Sequence, residues 1–120
     1  MIPSLRLLPI LTVLAGLFVS CGSTEAEAQR SGKELYTRYG CSSCHGATGG
    51  GGPLGPPLRD SAKYWQQKSL TDFLVDPAEA YKQDERLAAL NEAYRTDMRP
   101  FSELTRDQLS GIADFVLSLK

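Results

Sequence analysis

The sequence predicts a small all-α domain of three to five helices. Two capping boxes, which begin at Ser31 and at Thr105, mark helix starts because Glu or Gln follows each by three residues. Apolar side chains recur at helical spacing in residues 70–74 and 109–116. No stretch shows the alternation of apolar and polar residues that is typical of a half-buried strand.

Length and charge limit the classes of function. The chain has 120 residues and a formal net charge of −1, and it contains no basic tract that would bind nucleic acid. Residues 31–120 form one domain after an apolar leader. A domain of about 90 residues buries only roughly 60–65% of the surface of its unfolded chain, so a large apolar group in its core would stabilise it.

The first residues resemble an export signal. Arg6 is followed by an almost wholly apolar stretch, residues 7–19. This stretch has the length of the apolar part of a signal peptide and is shorter than the roughly 20 residues that span a membrane. Residues 18–21, Phe-Val-Ser-Cys, resemble the lipobox of bacterial lipoproteins, although phenylalanine replaces the usual leucine. The resemblance implies a lipoprotein signal peptide over residues 1–20 and a lipid anchor on Cys21.

Two other interpretations of the leader stay open. An ordinary signal peptide would be cleaved near Ala26 or Ala28 and would remove Cys21, whereas an uncleaved leader would anchor the chain. All three export the domain, so we expect it on the periplasmic side of a bacterial membrane. Residues 21–30 are polar and lack periodicity, and they are predicted to form a flexible tether.

The first predicted helix leads into Cys41-Ser42-Ser43-Cys44-His45, which has the spacing of a covalent haem attachment site. Cys41 and Cys44 would form thioethers with two vinyl groups of one porphyrin, and His45 would bind the iron. A structural zinc site needs four ligands, but the chain has only one other cysteine and no other histidine. A redox-active cysteine pair belongs in a βαβ unit, and none precedes Cys41.

A loop rich in glycine and proline follows the motif. Residues 46–58 contain six glycines and three prolines, so neither a helix nor a strand is expected there. We predict that this loop lies flat against the haem, where side chains would collide. A backbone carbonyl near the end of the loop would accept a hydrogen bond from the free N–H of His45. This bond would fix the orientation of the imidazole ring, as partners of metal-bound imidazoles do.

Two helices are predicted in the middle of the chain. The first covers residues 62–75, although Ser69 is a second possible start, and its apolar face is expected to contact haem. Tyr64 and Trp65 either bond to a haem propionate or only pack. Asp76 and Pro77 signal the start of the next helix, which runs to about residue 95 and carries charges of alternating sign.

Met98 is the only methionine after the leader, and it lies in a non-helical stretch two residues before Pro100. A thioether is a soft iron ligand that raises the reduction potential, so we predict that Met98 is the second axial ligand; the alternative is a methionine that fills the core. The last helix begins at Thr105 and is expected to pack on the first helix, where Gly32 admits Phe115.

Together these features resemble the class I c-type cytochromes over residues 31–120. The resemblance implies a small all-α fold around one covalent haem c, with its iron bound by His45 and Met98. It also implies that the Pro56 carbonyl bonds to His45, that the first and last helices cross, and that electrons pass at an exposed haem edge. The residues expected at or near the haem pocket are Pro56, Leu58, Trp65, Leu70, Phe73, Pro100 and Phe101.

The predicted function is one-electron transfer between respiratory or other redox proteins by a membrane-associated carrier. No small-molecule substrate is expected. Two alternatives stay open: a haem-binding subunit of a redox enzyme complex, and a gas or redox sensor that exchanges the Met98 ligand. The charged segment 78–96 is longer than a minimal family member needs, and it is expected either to cover part of the haem edge or to form a docking surface.

Overall fold

The computed structural model describes residues 30–120; the predicted signal peptide, Cys21 and all but the last residue of the predicted tether lie outside this range. The described residues form six α-helices and no β-strand, with one isolated bridge between Gly52 and Gly55. The all-α prediction is confirmed. The helices are α1 (Gly32–Arg38), α2 (Cys41–His45), α3 (Gln67–Val75), α4 (Pro77–Gln83), α5 (Glu85–Tyr94) and α6 (Arg106–Ser118), and a 3-10 helix covers Ser61–Lys63.

The predicted capping boxes begin α1 and α6. The Ser31 N–H donates to Glu34 Oε2 at 2.8 Å, and the Glu34 N–H donates to Ser31 Oγ at 3.3 Å. At α6 the Thr105 N–H donates to Gln108 Oε1 at 2.8 Å, with the reciprocal bond at 3.3 Å. Each box satisfies N–H groups that a helix start otherwise leaves without a partner.

Helices α1 and α6 pack against each other, as the sequence predicts. Their backbones approach closely at Gly32 and Gly111, where a Cβ on Gly32 would collide with the Gly111 carbonyl. Beside this crossing the rings of Tyr36 and Phe115 meet edge to face, with centroids 5.2 Å apart. The small residue at position 32 therefore admits the backbone of α6 as well as Phe115.

Helix α3 completes the packed layer by lying against α6. Gln67 and Ser110 share a hydrogen bond, and Arg106 forms an ion pair with Asp72. Leu70 and Leu74 turn inward from α3, while the 3-10 helix also contacts α6. The buried core of these elements is Leu35, Tyr36, Cys41, Leu70, Leu74, Phe101, Leu104, Leu109, Ile112, Ala113 and Val116.

The two middle helices are each divided. Residues 62–75 do not form one helix, because α3 begins at Gln67 after the 3-10 turn; the Gln66 N–H donates to Ser69 Oγ at 3.1 Å. Residues 77–94 form α4 and α5, because the Asp84 carboxylate accepts the Arg86 and Leu87 N–H groups and starts a new helix. None of the helices among residues 30–120 has the length and apolar character needed to cross a membrane.

Candidate functional site

The haem attachment motif forms α2, directly after α1. Gly40 separates the two helices with a φ of 81°, which a residue with a Cβ seldom adopts. Cys41 is buried and Cys44 half-buried, and both thiols are free. Burial raises the pKa of the Cys41 thiol to about 11, so the thiol is uncharged at neutral pH.

His45 is fixed by the backbone of the loop. Its Nδ1 lies 2.8 Å from the Pro56 carbonyl oxygen. Because a carbonyl only accepts hydrogen bonds, Nδ1 carries the hydrogen and Nε2 keeps its lone pair. Burial lowers the pKa of His45, although the bond to Pro56 acts in the opposite direction. The buried imidazole is therefore favoured in the neutral form that binds a metal.

The sequence predicts that the glycine-rich loop lies flat against the haem, but most of the loop lies away from the cavity. Only its later part, Leu54 to Leu58, lines the cavity, while residues 46–52 are absent from the lining. Those residues fold onto neighbouring backbone: the Gly51 N–H donates to the His45 carbonyl, and the Leu58 N–H donates to the Gly49 carbonyl, both at 2.8 Å. The loop therefore folds against itself and α2, and presents Pro56 to His45.

Tyr36 ties α1 to this loop, a role that helical patterning does not reveal. Its side chain is fully buried, and its hydroxyl donates to the Gly46 carbonyl at 2.6 Å. Burial is the main cause that raises the pKa of Tyr36 to about 12. Tyr36 therefore holds the residue that directly follows His45.

Met98 is half-buried at the cavity, in the segment between α5 and α6. Its backbone N–H donates to Tyr81 Oη at 3.4 Å. On either side of it, Asn91 Nδ2 donates to Asp97 Oδ1 at 3.0 Å and the Phe101 N–H donates to the Leu74 carbonyl at 3.1 Å. The segment is thus attached to α3, α4 and α5.

One cavity of about 610 Å³ brings the predicted site residues together. Aromatic rings form a continuous part of its wall: Trp65 and Phe73 have centroids 5.2 Å apart, and Phe73 and Tyr81 are 6.0 Å apart. The volume lies within the roughly 300–1,000 Å³ of small-molecule and cofactor sites. Predicted residues that line it are Cys41, Cys44, His45, Pro56, Leu58, Trp65, Leu70, Phe73, Met98 and Phe101.

The charged segment contributes directly to this wall. Helix α4 supplies Tyr81, and α5 supplies Leu87, Leu90 and Tyr94 along with polar residues. Arg86 lies over two rings at the cavity, with its Cζ 5.2 Å from the Tyr64 centroid and 5.4 Å from that of Trp65. Of the two expectations for this segment, the structure favours a cover over the site.

Pro100 is the predicted pocket residue that the structure places elsewhere. It is exposed and does not line the cavity. Its carbonyl accepts a hydrogen bond from Arg99 Nη1 at 3.2 Å, and the chain then turns inward so that Phe101 is buried. The proline therefore shapes the backbone after Met98 rather than the wall.

These donors suit haem c. Two thiols, one neutral imidazole and one thioether reach the same largely apolar cavity, and the aromatic wall suits a flat ring. A family model described as Cytochrome c matches residues 29–120. No curated protein and no solved structure matches the chain significantly.

Proposed function

Because the chain belongs to the cytochrome c family, whose members bind haem c covalently, we propose that it carries single electrons between redox proteins. In this proposal Cys41 and Cys44 hold the haem, and His45 and Met98 are the axial ligands. Haem iron bound in this way alternates between the ferrous and ferric states. The observation that carries the proposal is that all four side chains line one cavity.

The chain's own residues perform three tasks. The Pro56 carbonyl orients His45 so that Nε2 is left for the iron. The apolar wall excludes water, and the anchors around Met98 keep its thioether at the cavity. Two protein ligands leave no open position for a substrate, and His45 is the only histidine in the sequence. These features favour an electron carrier over an enzyme subunit that activates a small molecule.

Met98→Ala tests the axial ligand. We expect the variant to bind carbon monoxide rapidly when reduced, because one iron position is then open, whereas the parent protein binds it slowly at neutral pH. We also expect a potential lower by on the order of 0.1 V, within the ~0.8 V range that axial ligands set. Stopped-flow absorbance and a redox titration measure the two effects.

His45→Ala serves as the companion variant, since it should prevent a normal low-spin haem altogether. If the parent protein binds carbon monoxide as fast as Met98→Ala does, its iron has an open position. That result would favour the sensor or enzyme-subunit alternative over the carrier.

We further propose that the domain is exported and held at a membrane by a lipid on Cys21. The support is the leader sequence, since Cys21 lies outside the described residues. A tether of about nine residues reaches roughly 30 Å when extended, which keeps the haem domain near membrane-bound donors and acceptors. A single acyl chain anchors weakly, and stable attachment takes more than one.

Cys21→Ala tests the anchor. We expect the variant to be exported and to contain haem, but to move from the membrane fraction to the soluble periplasmic fraction. Cell fractionation with haem staining measures this. An equal membrane share for variant and parent, with the leader removed from the variant, would exclude a lipid on Cys21, and Ser20→Ala, which keeps a small residue before the cysteine, serves as the control.

A further inference from the structure

Arg99, the residue after Met98, joins two distant parts of the chain. Its Nη1 donates to Glu103 Oε1 at 2.8 Å, and its Nη2 donates to the Tyr39 carbonyl oxygen at 3.3 Å. The Tyr39 carbonyl lies at the end of α1, two residues before Cys41. One nitrogen of the guanidinium thus binds Glu103, four residues further along the chain, and the other links the Met98 segment to the segment that precedes the haem attachment site.

The guanidinium is also held in place from other directions. Its Cζ lies 4.1 Å from the ring centroid of the buried Phe101. The ion pair with Arg99 keeps the pKa of Glu103 below its usual value, so the carboxylate is charged at neutral pH. Arg99 itself lines the cavity.

The bond between Arg99 and the Tyr39 carbonyl reaches a different part of the fold from the other bonds of the Met98 segment. Tyr81, Asn91 and Leu74 attach residues 97–101 to helices α4, α5 and α3, respectively. Arg99 instead attaches them to the α1–α2 junction, which carries the attachment cysteines and His45. The bond from Arg99 Nη2 to the Tyr39 carbonyl therefore connects the Met98 segment to the segment on which the opposite ligand depends.

We propose that Arg99 is a positioning residue that holds Met98 at the iron by fixing the Met98 segment to the Tyr39 carbonyl. The inference rests on the proposed ligation of the iron by Met98. It assigns the effect to the forked geometry of the guanidinium, which donates to Glu103, to the Tyr39 carbonyl and to the Pro100 carbonyl, and not to its charge alone.

Two substitutions separate geometry from charge. Arg99→Gln removes both, whereas Arg99→Lys keeps the charge but replaces the planar fork with a single ammonium. We expect both variants to bind carbon monoxide at least tenfold faster than the parent protein when reduced at neutral pH. We also expect the spectral signature of methionine ligation to disappear on heating before the helical circular dichroism does.

Arg106→Gln is the matched control. The Arg106 side chain is 58% exposed and pairs with Asp72, and the Arg99 side chain is 52% exposed and pairs with Glu103. Arg106 joins α3 to α6 and does not line the cavity. Because exposed ion pairs contribute little to global stability, the Arg99 variants and Arg106→Gln should all melt at a temperature close to that of the parent. Only the Arg99 variants should expose the iron.

Glu103→Gln provides a milder variant in case Arg99→Gln misfolds. It leaves the guanidinium but weakens its hold, and we expect at least a twofold faster binding of carbon monoxide. If Arg99→Lys binds carbon monoxide as slowly as the parent protein, the charge is sufficient and the inference is overturned. The inference is also overturned if all three variants bind carbon monoxide at the parent's rate.

Met98→Ala distinguishes the failure of this inference from that of the proposed function. If Met98→Ala accelerates carbon monoxide binding and the Arg99 variants do not, only the role of Arg99 is wrong. If Met98→Ala also leaves binding unchanged, Met98 is not a ligand, and both proposals fall.

Discussion

Single side chains link the attachment motif to the rest of the fold through backbone carbonyls. His45 is oriented by the Pro56 carbonyl, and Tyr36 donates to the Gly46 carbonyl one residue further on. Both carbonyls belong to the loop that follows α2. The geometry of the imidazole therefore depends on a loop whose own position depends on α1.

Tyr36→Phe tests the bond to Gly46. We expect the variant to lose about 1–2 kcal/mol of unfolding free energy at pH 7, because the part-buried carbonyl loses its donor. Denaturant titration measures the loss. Tyr64→Phe is the control, since Tyr64 is 68% exposed, and surface changes usually stay within about 0.5 kcal/mol.

The same variant should change the dependence of stability on pH. The pKa of Tyr36 is raised from 10.0 to about 12 in the folded protein. The unfolded chain therefore loses the Tyr36 proton near pH 10, whereas the folded protein keeps it until about pH 12. The stabilisation that results from this difference is complete below pH 10 and is lost as the pH rises through the window. The parent should lose about 2–3 kcal/mol more than Tyr36→Phe across this window. Equal slopes for the two proteins would contradict the assigned ionisation.

The proposed axial and attachment residues could be singled out from the sequence because their spacing or uniqueness is itself the signal. Cys41, Cys44 and His45 are adjacent in the chain, and Met98 is the only methionine after the leader. Arg99 and Tyr36 carry no such signal. Their partners, Tyr39 and Gly46, are backbone groups reached only after the chain has folded.

Local sequence signals predict where the helices begin better than they predict how long each helix is. Ser31, Thr105 and Asp76 each accept the N–H group three residues later, as the capping patterns predict. The sequence does not predict the break at Asp84, because the flanking residues are good helix formers. An aspartate within such a run starts a new helix only when its carboxylate turns to the following N–H groups.

The crossing of α1 and α6 supplies a matched pair of substitutions. A Cβ on Gly32 would collide with the Gly111 carbonyl, whereas a Cβ on Gly111 would lie 3.9 Å from its nearest neighbours, an ordinary contact. We expect Gly32→Ala to destabilise the protein by about 1–3 kcal/mol, because the helices must separate. Gly111→Ala should be neutral or stabilising by up to about 1 kcal/mol, since alanine favours a helix interior.

Thermal unfolding of the two variants measures this difference. A parent-like transition for Gly32→Ala would show that the helices separate without cost. A loss in Gly111→Ala equal to that in Gly32→Ala would assign the effect to any added methyl group rather than to the close approach of the two backbones.

Across the whole molecule, the described helices divide into two groups around the cavity. Helices α1 and α3 each contact α6 directly, and the three helices contain most of the buried core. Helix α5 packs mainly on α4, and Leu87 is its one buried residue. Its apolar residues Leu87, Leu90 and Tyr94 line the cavity. The cover that α4 and α5 form is therefore built around the space for haem rather than around protein side chains.

This division predicts that the chain without haem is not stably folded. Without haem the largely apolar walls of this space of about 610 Å³ would face water, and each Å² of apolar surface left exposed forgoes about 25 cal/mol of stabilisation. We expect the haem-free protein to lose its cooperative thermal transition and hydrogen-exchange protection in α5, and the haem-loaded protein to show both. A cooperative transition without haem, with α5 protected, would mean that direct contacts between helices are sufficient for the fold.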